Sequence, residues 1–525
     1  MGPEDRNRQR EFMKPAANAA SLMIMGTASD VGKSVIVTGL CRMFARAGLR
    51  VAPFKSQNMS NNAAVCRGTG EIGRAQAVQA EAAGLEPTVD MNPVLLKPES
   101  ETACQVVIGG RPRFTMSTRD DNHYRERAWP VIVESYRRLS GQFDCIIIEG
   151  AGGAAEVNLR DRDIANWPVA QLAGAPVLIV ADIDKGGALA ALVGTVHLLA
   201  PVERARVKGL IINKFRGDQA LLKDGLRIIE EKTGVPVLGV VPYAHGLDIP
   251  LEDSASLTMQ VKADAARLIR VGVVRLPRIS NHTDFEILAR APDVDLSYFE
   301  RPEQTGHLDL LCIPGTKNTV ADLLWLRESG WDRAIAAHYH AGGSLLGICG
   351  GYQMLGRRIA DPRHVESSIS EAAGLGVLAV ETVFAEKITA LVRARDDSSG
   401  LEVSGYEIHC GRVTRLGEEA AFRIRERDGR PADEPEGALS SDGRVLGTSI
   451  HGLFDQAGFR RHYLGRIRKR KGLMPLEVFG AEDAASVRMR AYDRLADLLV
   501  EHLDIAAIAT AAGFNLSRTP LGRIS

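Results

Sequence analysis

In Leu345-Leu346-Gly347-Ile348-Cys349-Gly350-Gly351-Tyr352-Gln353 an apolar run ends at a cysteine followed by two glycines. A sharp strand-to-helix turn there would project the sulfur, and the positive end of the following helix favours the attacking thiolate. Such a nucleophile needs a base from elsewhere, and Gly447-Thr448-Ser449-Ile450-His451-Gly452 offers one roughly a hundred residues on. An upstream turn, Ile313-Pro314-Gly315-Thr316-Lys317, has backbone donors around Gly315 that, with the Gly350 N–H, would hold a tetrahedral oxyanion. Cys349 and His451 with these two donors describe thiol attack on a side-chain amide such as that of glutamine, a thioester, and release of ammonia. A lone buried cysteine is usually packing and a lone histidine a core or surface residue, so the combination carries the inference.

A second constellation lies near the start. Leu22–Met25 leads into Gly26-Thr27-Ala28-Ser29-Asp30-Val31-Gly32-Lys33-Ser34 and then a helical pattern. Backbone N–H groups of such a loop cradle phosphate oxygens, Lys33 neutralises β/γ charge, and the Ser34 hydroxyl reaches Mg²⁺. Thr27, Asp30, Gly32, Lys33 and Ser34 are therefore candidate nucleotide-binding residues. The strict pattern needs glycine at position 27, where this chain has threonine; the alternative is a glycine-containing turn opening a structural helix. Phe143–Ile148 ends in Glu149, a carboxylate at the edge of a buried strand and so a second candidate ligand for Mg²⁺. Asp182 and Asp184 are weaker candidates, and all three acids have a bland reading as helix caps.

These groups need a frame. Leu22–Met25, Arg50–Pro53, Cys104–Ile108, Cys145–Ile148, Val177–Val180, Leu210–Ile212 and Val237–Val240 are apolar at nearly every position. Strands covered on both faces read this way, so residues 21–250 are expected to form a helix-covered, mainly parallel sheet. Residues 251–267 break the rhythm and read as a linker. Ile269–Val274, Leu310–Ile313 and Ser344–Ile348 restart it, implying a second α/β domain over 268–460. Residues 1–20 read as a frayed tail and 461–525 as terminal helices, with the basic run 460–472 as a solvated face or, less simply, an anion site. The fold class is α/β, two domains.

Composition excludes little but points one way. With 65 Lys+Arg against 65 Asp+Glu, nothing signals nucleic acid. No stretch reads as a signal peptide or membrane span, so a cytoplasmic protein is expected. The seven cysteines are scattered without a C-x-x-C pair, as befits reduced, mostly buried thiols.

The phosphate loop resembles the G-T-x-[ST]-x-x-G-K-[ST] variant of the dethiobiotin synthetase group. Cys349 and His451 with their neighbours resemble class I glutamine amidotransferases. Over nearly the whole chain from Ser21 the sequence resembles the cobyric acid synthases, through Pro53–Asn62, Gly70–Ala77, Val89–Pro98, Ala155–Asn166 and Gly405–His409. Two departures stand out. Leu453 replaces the glutamate common two residues after the histidine, so a Cys–His dyad is expected, its orienting carboxylate unassigned. Lys185 replaces an arginine in the Asp182–Leu189 segment, and the two cations are not equivalent.

The resemblance implies amidation of the b, d, e and g carboxylates of adenosylcobyrinic acid a,c-diamide, with ATP, Mg²⁺ and L-glutamine. It also implies that Asn213 reads the adenine edge. Lys55, Gln57, Asn58, Arg160 and Arg162 are candidates to face the corrinoid, or else loop-stabilising polar residues. The alternatives are cobyrinic acid a,c-diamide synthase, a partitioning-type regulatory ATPase, and a binding module with a degenerate glutaminase. The last two would have no use for Cys349 and His451.

Overall fold

The computed structural model describes residues 19–514 except 69, 100–101, 118–123, 245, 248, 251–267 and 475–481. The expected linker, 251–267, thus lies outside the described residues, as do residues 1–18 of the expected tail; the first strand begins at Ala20.

The first half is built on a six-stranded sheet in the order Val237–Pro242, Val207–Phe215, Val177–Asp182, Ala20–Gly26, Cys145–Gly153, Val51–Phe54. Every pairing in it is parallel. Strand side chains alternate between faces, and both faces are covered. Met23, Ile146, Ile148 and Ile179 pack with Tyr136, Trp167 and Leu192 on one side. Leu22, Ile24, Ile147 and Leu178 pack with Ile36, Leu40 and Phe44 on the other. Because Ala20–Gly26 is central, its C-terminal loop opens beside the ends of both neighbouring strands, where phosphate sites form.

One expected strand lies elsewhere. Ala103–Ile108 belongs to a separate four-stranded sheet with Gln57–Met59, Val94–Pro98 and Arg111–Ser117, and pairs antiparallel on both sides. The reason is local: Gly109 and Gly110 both adopt positive φ, 60° and 75°, joining Ile108 directly opposite Arg111. A two-residue turn of that kind makes a hairpin and leaves no room for a helical crossover.

The second half has a sheet ordered Val294–Phe299, Ile269–Val274, Leu310–Ile313, Ser344–Ile348, Val445–Thr448, Ala438–Leu439, parallel except for the last pair. It also has an antiparallel layer that the apolar runs did not reveal. There Val380–Asp396 and Glu402–Arg415 pair along their lengths, and the short strand Ile450–His451 adds to the edge.

The C-terminal helices are structural straps. Ala457–Arg470 packs Phe459, Tyr463 and Ile467 into the second core. Its basic run is not a simple solvated face, because Arg460 and Arg468 are buried, the latter 2.5 Å from Asp293. Ala484–His502 returns to the first half, laying Leu495 and Leu499 against Ile36 and Leu40. Its Asp493 pairs with Arg42 at 2.8 Å. Among the described residues no helix is long and apolar enough to cross a membrane. All seven cysteines are unpaired.

The two halves meet over Ala63, Val65, Leu95 and Val107, which pack on Tyr406 and Ile408. Beside them Glu71, fully buried, sits between Lys97 at 2.7 Å and Lys387 of the other half at 2.6 Å. Burial alone would raise the Glu71 carboxyl, but the two ammonium groups outweigh it and hold it down to about 2. A depressed carboxyl stabilises the fold above its ordinary range and loses that contribution as pH falls toward the folded value. Glu71→Gln leaves the buried Lys97 and the half-buried Lys387 without their anion and is expected to cost about 3 kcal/mol. At pH 7 this would appear as a lower urea midpoint, with the gap to wild type closing as the pH falls from the ordinary carboxylate range toward 2. Equal midpoints at pH 7 would contradict the assignment.

Candidate active sites

The strand Ser344–Ile348 ends at Cys349, whose φ of 52° and ψ of −110° are unusual for a residue with a side chain. The helix Gly350–Leu355 starts immediately after it. The turn is feasible because its neighbours are glycines: a Cβ on Gly351 would stand 1.9 Å from the Ile313 carbonyl oxygen. Cys349 is buried with its sulfur 3.7 Å from the Ile408 carbonyl oxygen.

Across from it lies His451, 1% exposed, with Nδ1 2.7 Å from Asp284 Oδ2. The Gly452 N–H donates to the other oxygen of Asp284 at 2.8 Å. With Nδ1 committed to Asp284, Nε2 is the nitrogen left to serve the Cys349 thiol. Burial by itself would push the imidazolium down, but the adjacent Asp284 carboxylate outweighs it and raises His451 well above its ordinary value. The Tyr406 ring stacks on the imidazole, centroids 5.1 Å apart and planes 16° apart. A Cβ on Gly315 would come within 3.1 Å of His451 Cε1, and one on Gly350 within 2.8 Å of Thr316 Cγ2. The Gly315–Thr316 turn therefore lies between the imidazole and the start of the helix. A thiol, an oriented base and backbone donors converge here, the set that acyl transfer through a thioester requires.

The loop 26–34 forms the other site. Gly32 has φ 96° and lies against Asn213, whose Nδ2 would be 2.1 Å from a Cβ at that position. Asn213 Nδ2 donates to the Val31 carbonyl at 2.9 Å, so this side chain braces the loop. Thr27 N–H donates to Val180 O at 2.9 Å, and Asp30 takes a left-handed φ of 58°. Lys33 Nζ spans the loop to Ala28 O and Gly152 O at 2.8 and 2.9 Å.

Glu149, 1% exposed, accepts from Ser34 Oγ at 2.9 Å, Lys55 Nζ at 2.7 Å and Gln79 Nε2 at 2.5 Å. Burial alone would raise this carboxyl; Lys55 foremost, with the other donors, keeps it below the usual carboxylate range. Among the described residues no three His, Cys, Asp or Glu side chains gather to hold a metal. Mg²⁺ at a nucleotide site uses one or two protein oxygens plus phosphates and water, and Ser34 with Glu149 supply that donor set. Asp182 pairs with Lys214 and Asp184 with Arg216, both at 2.7 Å, so these acids serve local ion pairs.

Residues 22–256 match the family model of the CobQ/CobB/MinD/ParA nucleotide binding domain, and residues 270–459 that of the CobB/CobQ-like glutamine amidotransferase domain. The cobyric acid synthase of Sorangium cellulosum is 49% identical over 519 residues, covering 95% of this chain and 99% of that protein. That of Syntrophobacter fumaroxidans is 45% identical over 508 residues, covering 94% and 99%. That of Streptococcus sanguinis is 48% identical over 494 residues, covering 93% and 98%. The chain belongs to the cobyric acid synthase family.

In this cobyric acid synthase family member the five residues expected to face a corrinoid divide into two groups. Lys55 and Asn58 are buried. The Lys55 ammonium is held against Glu149 at 2.7 Å, and Asn58 Nδ2 donates to Gln76 Oε1 at 2.9 Å. The physical reason is that a buried ammonium is tolerated only against an anion. Gln57, half-buried, accepts from the Tyr124 hydroxyl at 2.7 Å. Arg160 and Arg162 lie on the exposed turn Val157–Arg162, Arg160 pairing with Glu203 at 2.9 Å.

Two residues at the thiol site escaped sequence reasoning. Asp284 joins the expected Cys–His dyad, and Leu453, at the position usual for the carboxylate, is fully buried. Asp284 lies 167 positions before His451, in a short helical turn with no motif to mark it. Tyr406 sits in the Gly405–His409 segment that carried the resemblance, but its stacking on His451 depends on a strand pairing that only the fold shows. If Asp284 keeps the imidazole charged and aligned, Asp284→Asn should slow alkylation of Cys349 by iodoacetamide at neutral pH by about tenfold or more. An unchanged alkylation rate would show that the carboxylate only fills space.

Proposed function

We propose that the chain catalyses glutamine- and ATP-dependent amidation of the b, d, e and g carboxylates of adenosylcobyrinic acid a,c-diamide. A carboxylate does not accept ammonia directly, because its oxygen is a poor leaving group; conversion to an acyl phosphate supplies a good one. The observation that carries the reading is the presence, in one chain, of a phosphate loop with a buried carboxylate and a cysteine with an oriented histidine.

At the thiol site, Cys349 attacks the glutamine side-chain amide. His451 takes and returns the proton through Nε2, and Asp284 holds the imidazole by Nδ1. Gly315 and Gly350 supply backbone N–H donors to the oxyanion. Collapse of the tetrahedral adduct breaks the C–N bond and expels ammonia, protonated by His451, leaving a glutamyl thioester that water then hydrolyses to glutamate and the free thiol. At the nucleotide site, Thr27, Asp30, Gly32 and Lys33 surround the phosphates, with Asn213 holding the loop in shape. Ser34 and Glu149 would hold Mg²⁺, which when bound neutralises charge on the phosphates. In this reading the exposed arginines 160 and 162, with Gln57, meet the anionic substrate.

The nitrogen source separates the two halves. Cys349→Ala is expected to lose glutamine-dependent amidation by more than about 10³-fold while retaining amidation from ammonium salts. Lys33→Ala should lose both. Product masses and positions read by mass spectrometry identify the acceptor: with cobyrinic acid offered in place of its a,c-diamide, amides appearing at a and c would assign the chain to the a,c-diamide-forming reaction. Glutamine-dependent turnover surviving in Cys349→Ala would refute the thiol mechanism.

A further inference from the structure

One short helix, Arg74–Ala82, touches both sites. Near its middle Gln79 Nε2 donates to Glu149 Oε2 at 2.5 Å, on the carboxylate whose other oxygen bonds Ser34 of the phosphate loop. At its first residue Arg74 Nη2 donates to the hydroxyl of Tyr406 in the second half at 2.5 Å and to Ala63 O at 2.8 Å. Asn281 Nδ2 donates to the same hydroxyl at 2.7 Å. Near its end Glu81 accepts from Arg488 at 2.9 Å, and Arg488 also pairs with Asp455, on the loop after His451, at 3.1 Å. The helix is thus gripped at both ends by groups that reach the histidine loop, and in the middle by the nucleotide-site acid.

Tyr406 is the transmitting side chain. It lies directly opposite His451 in a strand pairing only two residues wide, and its ring stacks on the imidazole. An aromatic face against an imidazole favours the charged ring, provided the two stay aligned. The Tyr406 backbone is held on the other side by the long pairing with Val380–Asp396, opposite Leu391, and its hydroxyl is fixed by Arg74 and Asn281. A shift of about 1 Å in such a support can cost as much as 10²-fold in rate.

We propose that Arg74 is a positioning residue for the thiol site, supplied by the nucleotide-binding half. It sets Tyr406 against His451, and because its helix also carries Gln79, it makes the reactivity of Cys349 respond to the state of Glu149. This rests on the glutamine-splitting role assigned to Cys349. Arg74 itself touches neither glutamine nor the reacting atoms.

The test uses the full-length protein with Arg74→Ala, Arg74→Lys and Tyr406→Phe, the last keeping the ring while removing the hydroxyl. Arg74→Ala should lower kcat for glutamine hydrolysis by about 10- to 100-fold and slow iodoacetamide alkylation of Cys349, with KM for glutamine changed less than about threefold. Ammonia-dependent amidation should stay within about twofold, because the nucleotide site keeps its own contacts. Tyr406→Phe should change both thiol readouts in the same direction. Arg74→Lys should recover part of the loss, since the ammonium keeps the charge but lacks the planar fork and reach of the guanidinium. In wild type, ATP with Mg²⁺ should change the alkylation rate, and Arg74→Ala should abolish that change.

Three results would overturn the proposal: an Arg74→Ala protein with wild-type alkylation and glutamine turnover, equal loss of ammonia-dependent amidation, or an intact nucleotide effect on alkylation. If wild type fails to amidate a corrinoid from ammonia, the proposed function fails, yet the alkylation measurements still decide the role of Arg74.

Discussion

The contact between Asp284 and His451 organises the second half of the chain. Both side chains are almost wholly buried, and a buried charge is tolerated only when its partner and its remaining lone pairs are satisfied. Here the imidazole takes one carboxylate oxygen and the Gly452 N–H the other. The contact joins a turn after the strand Ile269–Val274 to the edge strand Ile450–His451, with the Cys349 elbow between them. Only a parallel sheet, whose strand ends all face one way, brings three such distant segments to one side.

The same device recurs at the other two joints. Glu149 is buried among Ser34, Lys55 and Gln79, and Glu71 between lysines from both halves. Each is an anion shut away from water and matched by donors from separate segments, so each fixes a geometry as well as a contact. At Glu149 the fixed object is the phosphate loop; at Glu71 it is the seam between the halves. The proposed mechanism, with a reactive acyl phosphate in one place and ammonia in another, would have a use for a rigid seam, because both intermediates are lost to water if the pockets drift apart.

Much of this was legible in the sequence because it rests on local rules. All-apolar runs of strand length gave the parallel sheets, the glycine-rich segment its phosphate loop, and Gly-Ile-Cys-Gly-Gly its elbow. What was missed rests on contacts between distant segments. Lys55 reads as a cation facing substrate carboxylates, and only the fold shows that it is also buried against an acid far along the chain. Arg460 and Arg468 read with their basic neighbours as a solvated helix face, because long basic side chains are usually exposed, yet both are buried. Asp284 carries no signal of its own, since an isolated aspartate in a turn is common. The strand Ala103–Ile108 is different: the Gly109-Gly110 pair that follows it is a sequence signal for a hairpin.

The central claim is that nitrogen freed at Cys349 is the nitrogen joined to substrate at the nucleotide site. It is tested most directly by supplying glutamine labelled with ¹⁵N at the amide, together with excess unlabelled ammonium, and reading isotope in the corrinoid amides. Passage inside the protein predicts product labelled in proportion to glutamine turnover, with little dilution from the medium. Product carrying the isotope ratio of the bulk ammonium would contradict it.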